Sequence, residues 1–146
     1  MFTNILIPVD GSTTALCAVS KAAGLAKTYG STVTVLYVID SYPFTGVGAD
    51  FAYGQAQYLT AATAEANAAL DSAKTALMEA GVDKVNTKLA DGHAVHEAIT
   101  RSAEELGADL IVMGSHGRKG LEKLVLGSVT QRVLGATTLP VLVVRE

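Results

Sequence analysis

At 146 residues, 49% hydrophobic and 17% charged, the chain has the length of one folded domain (residues 1–146) and far too much apolar content for a disordered segment. A formal net charge of −3 with no Lys/Arg run longer than two residues excludes the electrostatic footprint of a nucleic-acid binder, so no nucleic-acid partner is expected. The lone Cys17 can close no internal disulfide, no apolar run reaches the roughly 20 residues of a membrane span, and the opening MFTNILIPVDGS lacks a basic start and long apolar region; a cytoplasmic protein without membrane insertion is expected.

Residues 4–9 (NILIPV) are a short β-branched apolar run ended by Asp10-Gly11-Ser12, the pattern of a strand buried on both faces and followed by a turn. A helix should follow, capped by Ser12 or Thr13, with Leu16, Val19, Ala22, Ala23 and Ala26 on its buried face and Gly30 at its left-handed end. Residues 31–39 (STVTVLYVI) are again β-rich, so the opening reads βαβ, with parallel strands and a right-handed crossover. Residues 40–57, with Tyr42, Phe44, Phe51 and Tyr53, read as a long irregular loop, either a lid or partner contact or a plain surface loop. The Ala-rich stretch 59–80 places Leu70, Ala73, Leu77 and Ala80 on one helical face and closes at Gly81. Residues 84–89 alternate Val85, Thr87 and Leu89 with polar residues, as a half-exposed edge strand does. A helix over 93–106 follows from the spacing of Val95, Ala98, Ile99, Ser102 and Leu106; residues 110–113 are a fourth strand, 128–134 a short helix, and Pro140 opens a last strand, Val141 to Val144. The order βαβαβαβαβ is that of a doubly wound α/β domain, a parallel sheet with helices on both faces.

In such a sheet the ligand crevice lies beyond the carboxyl ends of the strands. Two of these ends are chemically unusual: Asp10-Gly11-Ser12 after the first strand, and Gly114-Ser115-His116-Gly117-Arg118-Lys119-Gly120 after the fourth, with Gly127-Ser128 opening the next helix. Glycines admit close approach of a ligand, and consecutive amides with a helix N-terminus attract anions. Ser128, Arg118 and Lys119 add a hydroxyl and positive charge, which completes a phosphate-binding arrangement. The P-loop pattern is absent, and Gly46-Val47-Gly48 lacks the third glycine of a dinucleotide fingerprint. Plainer readings stand beside these: glycines at strand ends often serve only turns, Asp10 can cap the first helix, and His116 can be a solvent-facing loop residue. His93 and His96 sit three apart without a third ligand nearby, Cys17 reads as a buried inert thiol, and Ser128 lacks a nucleophile elbow, so no catalytic residue and no metal ligand is assigned.

The spacing Gly114, two residues, Gly117, nine residues, Gly127-Ser128, together with the opening ILIPVDGS and the closing PVLVV, resembles the universal stress protein family over nearly the whole chain. The match is to the family's ATP-binding branch, whose fingerprint is G-x2-G-x9-G-[ST]. The resemblance implies a Rossmann-like, adenine nucleotide alpha hydrolase-like sheet of five parallel strands in the order 3-2-1-4-5, with an adenine nucleotide between strands 1 and 4. Carried over position by position, Asp10 meets the nucleoside, Val38 presents its backbone to adenine, and Met113 and Gly114 lie by the ribose and base. Gly117, Gly127, Ser128, Val129 and Thr130 hold the phosphates, with Pro8, Val9, Ser115, His116 and Arg118 completing the lining. The implied ligand is ATP, with ADP or AMP as alternatives and Mg2+ or Mn2+ as an optional companion. The implied role is that of a nucleotide-binding stress-response regulator. A slow ATPase or nucleotide-transferring enzyme is the alternative, disfavoured because Asp10 offers the one base and belongs by the nucleoside, remote from the γ-phosphate. A ligand-free interaction protein is disfavoured because Gly117 and Gly127 would then have no reason to be glycine. Residues Val141 to Val144, apolar and at a sheet edge, are the expected seam of a homodimer in which the strand pairs antiparallel with its symmetry mate.

Overall fold

A computed structural model describes residues 1–40, 48–117 and 125–146. The chain runs β1 (Asn4–Pro8), α1 (Thr13–Tyr29), β2 (Thr32–Ile39), α2 (Ala49–Glu79), β3 (Val85–Asp91), α3 (Val95–Leu106), β4 (Leu110–Gly114), α4 (Ser128–Ala136) and β5 (Val141–Val144). The strands form one five-stranded sheet in the order β3-β2-β1-β4-β5, every neighbour parallel; the βα alternation predicts the parallel sheet, and the family resemblance implies this order.

Strand β1 lies at the centre, where a strand covered on both faces must be apolar throughout. Its Ile5 and Ile7 point into a cluster with α1 and α2, whereas Leu6 points the other way, into the cluster with Ile99 and Ala103 of α3 and Val133 of α4. The carboxylate of Asp109 ties the starts of β1 and β4 together: Oδ2 accepts from Thr3 N (2.8 Å) and Thr3 Oγ1 (2.9 Å), and Oδ1 from Asn4 N (3.0 Å). Burial pushes the pKa of this carboxyl up, but the hydrogen bonds from Thr3 and Asn4 outweigh that and hold it below the ordinary aspartate value. Edge strand β3 is tied down differently, by an ion pair from Lys88 to Glu105 of α3 at 2.7 Å.

Helix α1 starts where Ser12 Oγ accepts from Ala15 N (3.2 Å) and stops at Gly30, whose φ of 64° permits the left-handed close. Its buried stripe is Thr14, Ala15, Ala18, Val19, Ala22, Ala23 and Ala26. Leu16, expected on that face, is instead 45% exposed, because the small residues one position away let the helix sit close against the sheet. Ala80 is likewise displaced from the α2 stripe: it is the exposed C-cap, and Val82 takes the buried place beyond it.

The largest departure concerns residues 40–57. From Ala49 onward this stretch is helix, so α2 runs for 31 residues, about 46 Å at 1.5 Å per residue. Periodicity hid it because the first turns contain Gly54 and carry no buried stripe; the buried residues of α2 begin at Ala66. Alanine propensity, Asp50 in the first turn and local bonds sustain the helix there: Gln57 Nε2 donates to Tyr53 Oη (2.9 Å), and Tyr58 Oη donates to the Asp40 carbonyl (3.0 Å). Tyr42 and Phe44 lie outside the described residues. Among the described residues no helix is long and apolar enough to cross a membrane.

Candidate functional site

The strand order reverses between β1 and β4, since β1 connects outward to β2 on one side while β4 leads to β5 on the other. Loops leaving the two carboxyl ends therefore diverge and leave a crevice between them. A cavity of about 580 Å3 opens there. One wall is apolar: Leu36, Tyr37 and Val38 of β2, Val95 and Ile99 of α3, and Met113 of β4. Polar groups also line the cavity: Asp10 and Ser12 after β1, His116 and Gly117 after β4, and residues 127–130 at the start of α4, together with Pro8, Val9, Ala15 and Gly114.

Of the residues singled out in the sequence, the cavity brings together Pro8, Val9, Asp10, Val38, Met113, Gly114, His116, Gly117, Gly127, Ser128, Val129 and Thr130. Ser115 is not on the wall. It is buried behind it, its N–H donating to the Val144 carbonyl (2.8 Å) and its carbonyl accepting from Gly127 N (2.7 Å), while its hydroxyl finds no partner among the described residues. Arg118, Lys119 and Gly120 lie outside the described residues. Sequence reasoning missed Ser12, Ala15, Leu36, Tyr37, Val95 and Ile99 as lining residues. The apolar ones read as plain core, although Val95 and Ile99 occupy the first turns of α3, which this topology sets at the carboxyl ends of the strands.

Asp10 does not cap α1; Ser12 does. The Asp10 Oδ1 accepts from Ser12 N at 2.9 Å, closing a turn, and Oδ2 faces across the crevice, 2.6 Å from where a Cβ on Gly117 would stand. Ser128 is the first residue of α4, where the helix expected over 128–134 begins, and Gly127 is the N-cap with no side-chain bond. The first amides of α4 have no partner within the helix and border the cavity, a setting that favours an anion. Thr130 turns inward instead, its hydroxyl donating to the Gly114 carbonyl at 2.9 Å.

Two of the fingerprint glycines also have close neighbours inside the protein. A Cβ at Gly114 would stand 2.7 Å from Thr14 Cγ2, and one at Gly127 would stand 3.1 Å from His116 Cα. None of the three, Gly114, Gly117 or Gly127, has a positive φ. Close packing of β4 on α1 therefore disfavours any side chain at Gly114 whether or not a ligand is present, and the start of α4 lies tight against the loop after β4 at Gly127. Gly127 thus has a tight contact of its own, whereas at Gly117 the near atom is the movable end of the Asp10 side chain.

Elsewhere, His93 Nδ1 lies 3.9 Å from Asp40 Oδ1, and no group of three or more metal-ligating side chains forms among the described residues. Chemically, the cavity suits a molecule with a flat apolar part and a polar, anionic part.

The universal stress protein family model matches residues 1–145. The chain belongs to the universal stress protein family. Universal stress protein MJ0531 of Methanocaldococcus jannaschii is 38% identical over 146 residues, all of this chain and 84% of its relative. Among solved structures, hypothetical protein MJ0577 is 33% identical with a TM-score of 0.84, covering 99% of this chain and 96% of that one. The universal stress protein UspA from Lactobacillus plantarum is 27% identical with a TM-score of 0.86, covering 98% and 97%. Two more distant universal stress proteins that share the fold, each 23% identical, were solved with cAMP and, in the Archaeoglobus fulgidus case, with dAMP.

Proposed function

We propose that the crest cavity is an adenine-nucleotide site and that the protein is a nucleotide-responsive regulator in stress, with ATP as the leading ligand and ADP or AMP as alternatives. The observation that carries this reading is the cavity itself: about 580 Å3 at the strand-order reversal, lined by apolar residues of β2, α3 and β4 and by the N-terminus of α4. Adenine fits the apolar wall beside Val38, the ribose hydroxyls fall to Asp10, and the phosphates take the amides at the start of α4 with Ser128. The cAMP and dAMP complexes of the two distant relatives support it by giving this fold an adenine-nucleotide precedent. Among the described lining residues Asp10 supplies the sole carboxylate, so an accompanying Mg2+ or Mn2+ would be held by phosphate oxygens and water rather than by a protein cage.

The assembly we infer is a cytoplasmic homodimer. Among the described residues strand β5 ends the sheet, and Leu142 within it is 39% exposed, so an apolar edge strand is offered for pairing. Pairing with a second copy is self-complementary and extends the sheet. Mass spectrometry of the purified protein after denaturation tests the nucleotide reading. Release of ATP, ADP or AMP in near-stoichiometric amount is expected; a chain that carries none, and takes none up on incubation with millimolar ATP, overturns it.

A further inference from the structure

Two residues beyond β5, Glu146 reaches the start of α1. Its Oε1 accepts hydrogen bonds from Thr13 Oγ1 and Thr14 Oγ1, each at 2.7 Å. Thr14 is buried, and its methyl branch is the surface against which Gly114 packs, with 2.7 Å between Thr14 Cγ2 and the place of a Cβ on Gly114. Gly114 stands in register with Val144 of β5, and its carbonyl accepts from Thr130 of α4. The next residue, Ser115, donates to the Val144 carbonyl and accepts from Gly127 N. Edge strand, first turn of α1, end of β4 and first turn of α4 are thus linked in a closed ring of contacts. Gly114, Gly127 and Thr130 of that ring line the cavity.

We propose that Glu146 is a positioning residue that couples the β5 edge to the crest cavity: by holding Thr13 and Thr14 it fixes the surface on which Gly114 rests, so that what pairs with the edge and what fills the cavity bias each other. Such coupling acts equally in both directions, from edge to cavity and from cavity to edge. The identity of the cavity's ligand as a nucleotide rests on the reading above; the mechanical link does not. A carboxylate at a helix N-terminus can also act as a simple local cap, stabilising α1 alone. The two roles differ in reach, because a cap affects the first turn of α1 whereas a coupling residue also affects the far side of the ring.

Hydrogen exchange on the nucleotide-free full chain separates them. In E146A the amides of Ala15 and Leu16 should exchange faster, and those of Ser115 and Gly127 should also exchange about two- to thirtyfold faster, the range by which residues along a coupling route act. E146Q, which keeps a carbonyl oxygen for both threonine hydroxyls, should restore protection at all four. An edge substitution, L142K, should alter exchange at Gly127 in the parent and lose most of that effect in the E146A background. A change in E146A confined to Ala15 and Leu16, an E146Q that behaves like E146A, or an L142K effect of equal size in both backgrounds overturns the coupling. Calorimetric titration of the parent with ATP judges the nucleotide reading separately, since the exchange measurements contain no nucleotide.

Discussion

Substituting Gly114 with alanine should destabilise the protein with no ligand present. The added Cβ would stand 2.7 Å from Thr14 Cγ2 and 3.2 Å from both the Thr14 carbonyl carbon and Cβ, on a helix whose inner face is already packed against the sheet. Overpacking of this kind costs about 1–3 kcal/mol, because α1 must shift or β4 must bend. For a chain of this size that corresponds to a fall in Tm of about 3–10 °C. Urea titration followed by circular dichroism measures it. The structure also names the suppressor: Thr14→Ser removes the methyl at 2.7 Å while keeping the hydroxyl that donates to Glu146, so T14S/G114A should recover part of the loss. Recovery stays partial because the 3.2 Å contacts to Thr14 remain. Equal stability of G114A and parent, within about 0.5 kcal/mol, or a T14S change that simply adds its own loss, would refute the packing explanation of this glycine.

Asp10→Asn should weaken ATP, ADP and adenosine to a similar degree if ribose is its partner; a loss confined to ATP and dependent on Mg2+ would reassign it to metal coordination. Asp109→Asn should lower stability by about 1–3 kcal/mol at pH 7, since it weakens three hydrogen bonds to a carboxylate that is partly open to water. Because the folded-state pKa of Asp109 is lowered, its contribution is present above the ordinary aspartate value of 3.8 and is lost as pH falls through the lowered folded value. The stability gap between parent and D109N, followed by urea titration, should accordingly stay constant from pH 7 to about 5 and narrow below about 4; a gap that widens on acidification contradicts the assignment. In sedimentation equilibrium the parent should be a dimer at micromolar concentration and a V143K/L142K double variant a monomer, whereas a variant that stays dimeric moves the interface away from β5.

The alternation of strands and helices was legible because each strand declared itself locally, while the order of the strands came with the family resemblance. NILIP and LIVMG are unbroken apolar runs, as strands covered on both faces require, and Gly30 and Gly107 mark the helix ends, each with a φ of 64°. What one sequence conceals is which turn of a helix a neighbour reaches. Leu16 fits the apolar spacing of α1 yet stands outside its contact, since an alanine stripe packs closer than a leucine stripe does. The start of α2 was hidden for a related reason: with no buried stripe before Ala66, propensity alone marks the helix, and Gly54 argues against it. At the site, Asp10 and the glycine-rich end of β4 were legible as chemistry out of place at strand ends. Val95 and Ile99 were not, because an apolar residue lining a cavity and one filling a core look alike in sequence. Nor could spacing reveal that Gly114 and Gly127 are pressed against Thr14 and His116, since those contacts join segments about 100 and 11 residues apart. Glu146 gave no signal at all, its partners lying at the opposite end of the chain.

Calorimetric titration of ATP into the parent and into a Val95→Trp variant tests the nucleotide reading most directly. Val95 is half-buried on the apolar wall, so an indole there occupies the space proposed for adenine while the polar rim is left intact. One ATP per chain is expected for the parent, displaced by ADP and AMP, with loss of binding in V95W and an unchanged circular dichroism spectrum. A parent that binds no adenine nucleotide at millimolar concentration, or a folded V95W variant that binds ATP as the parent does, would contradict it.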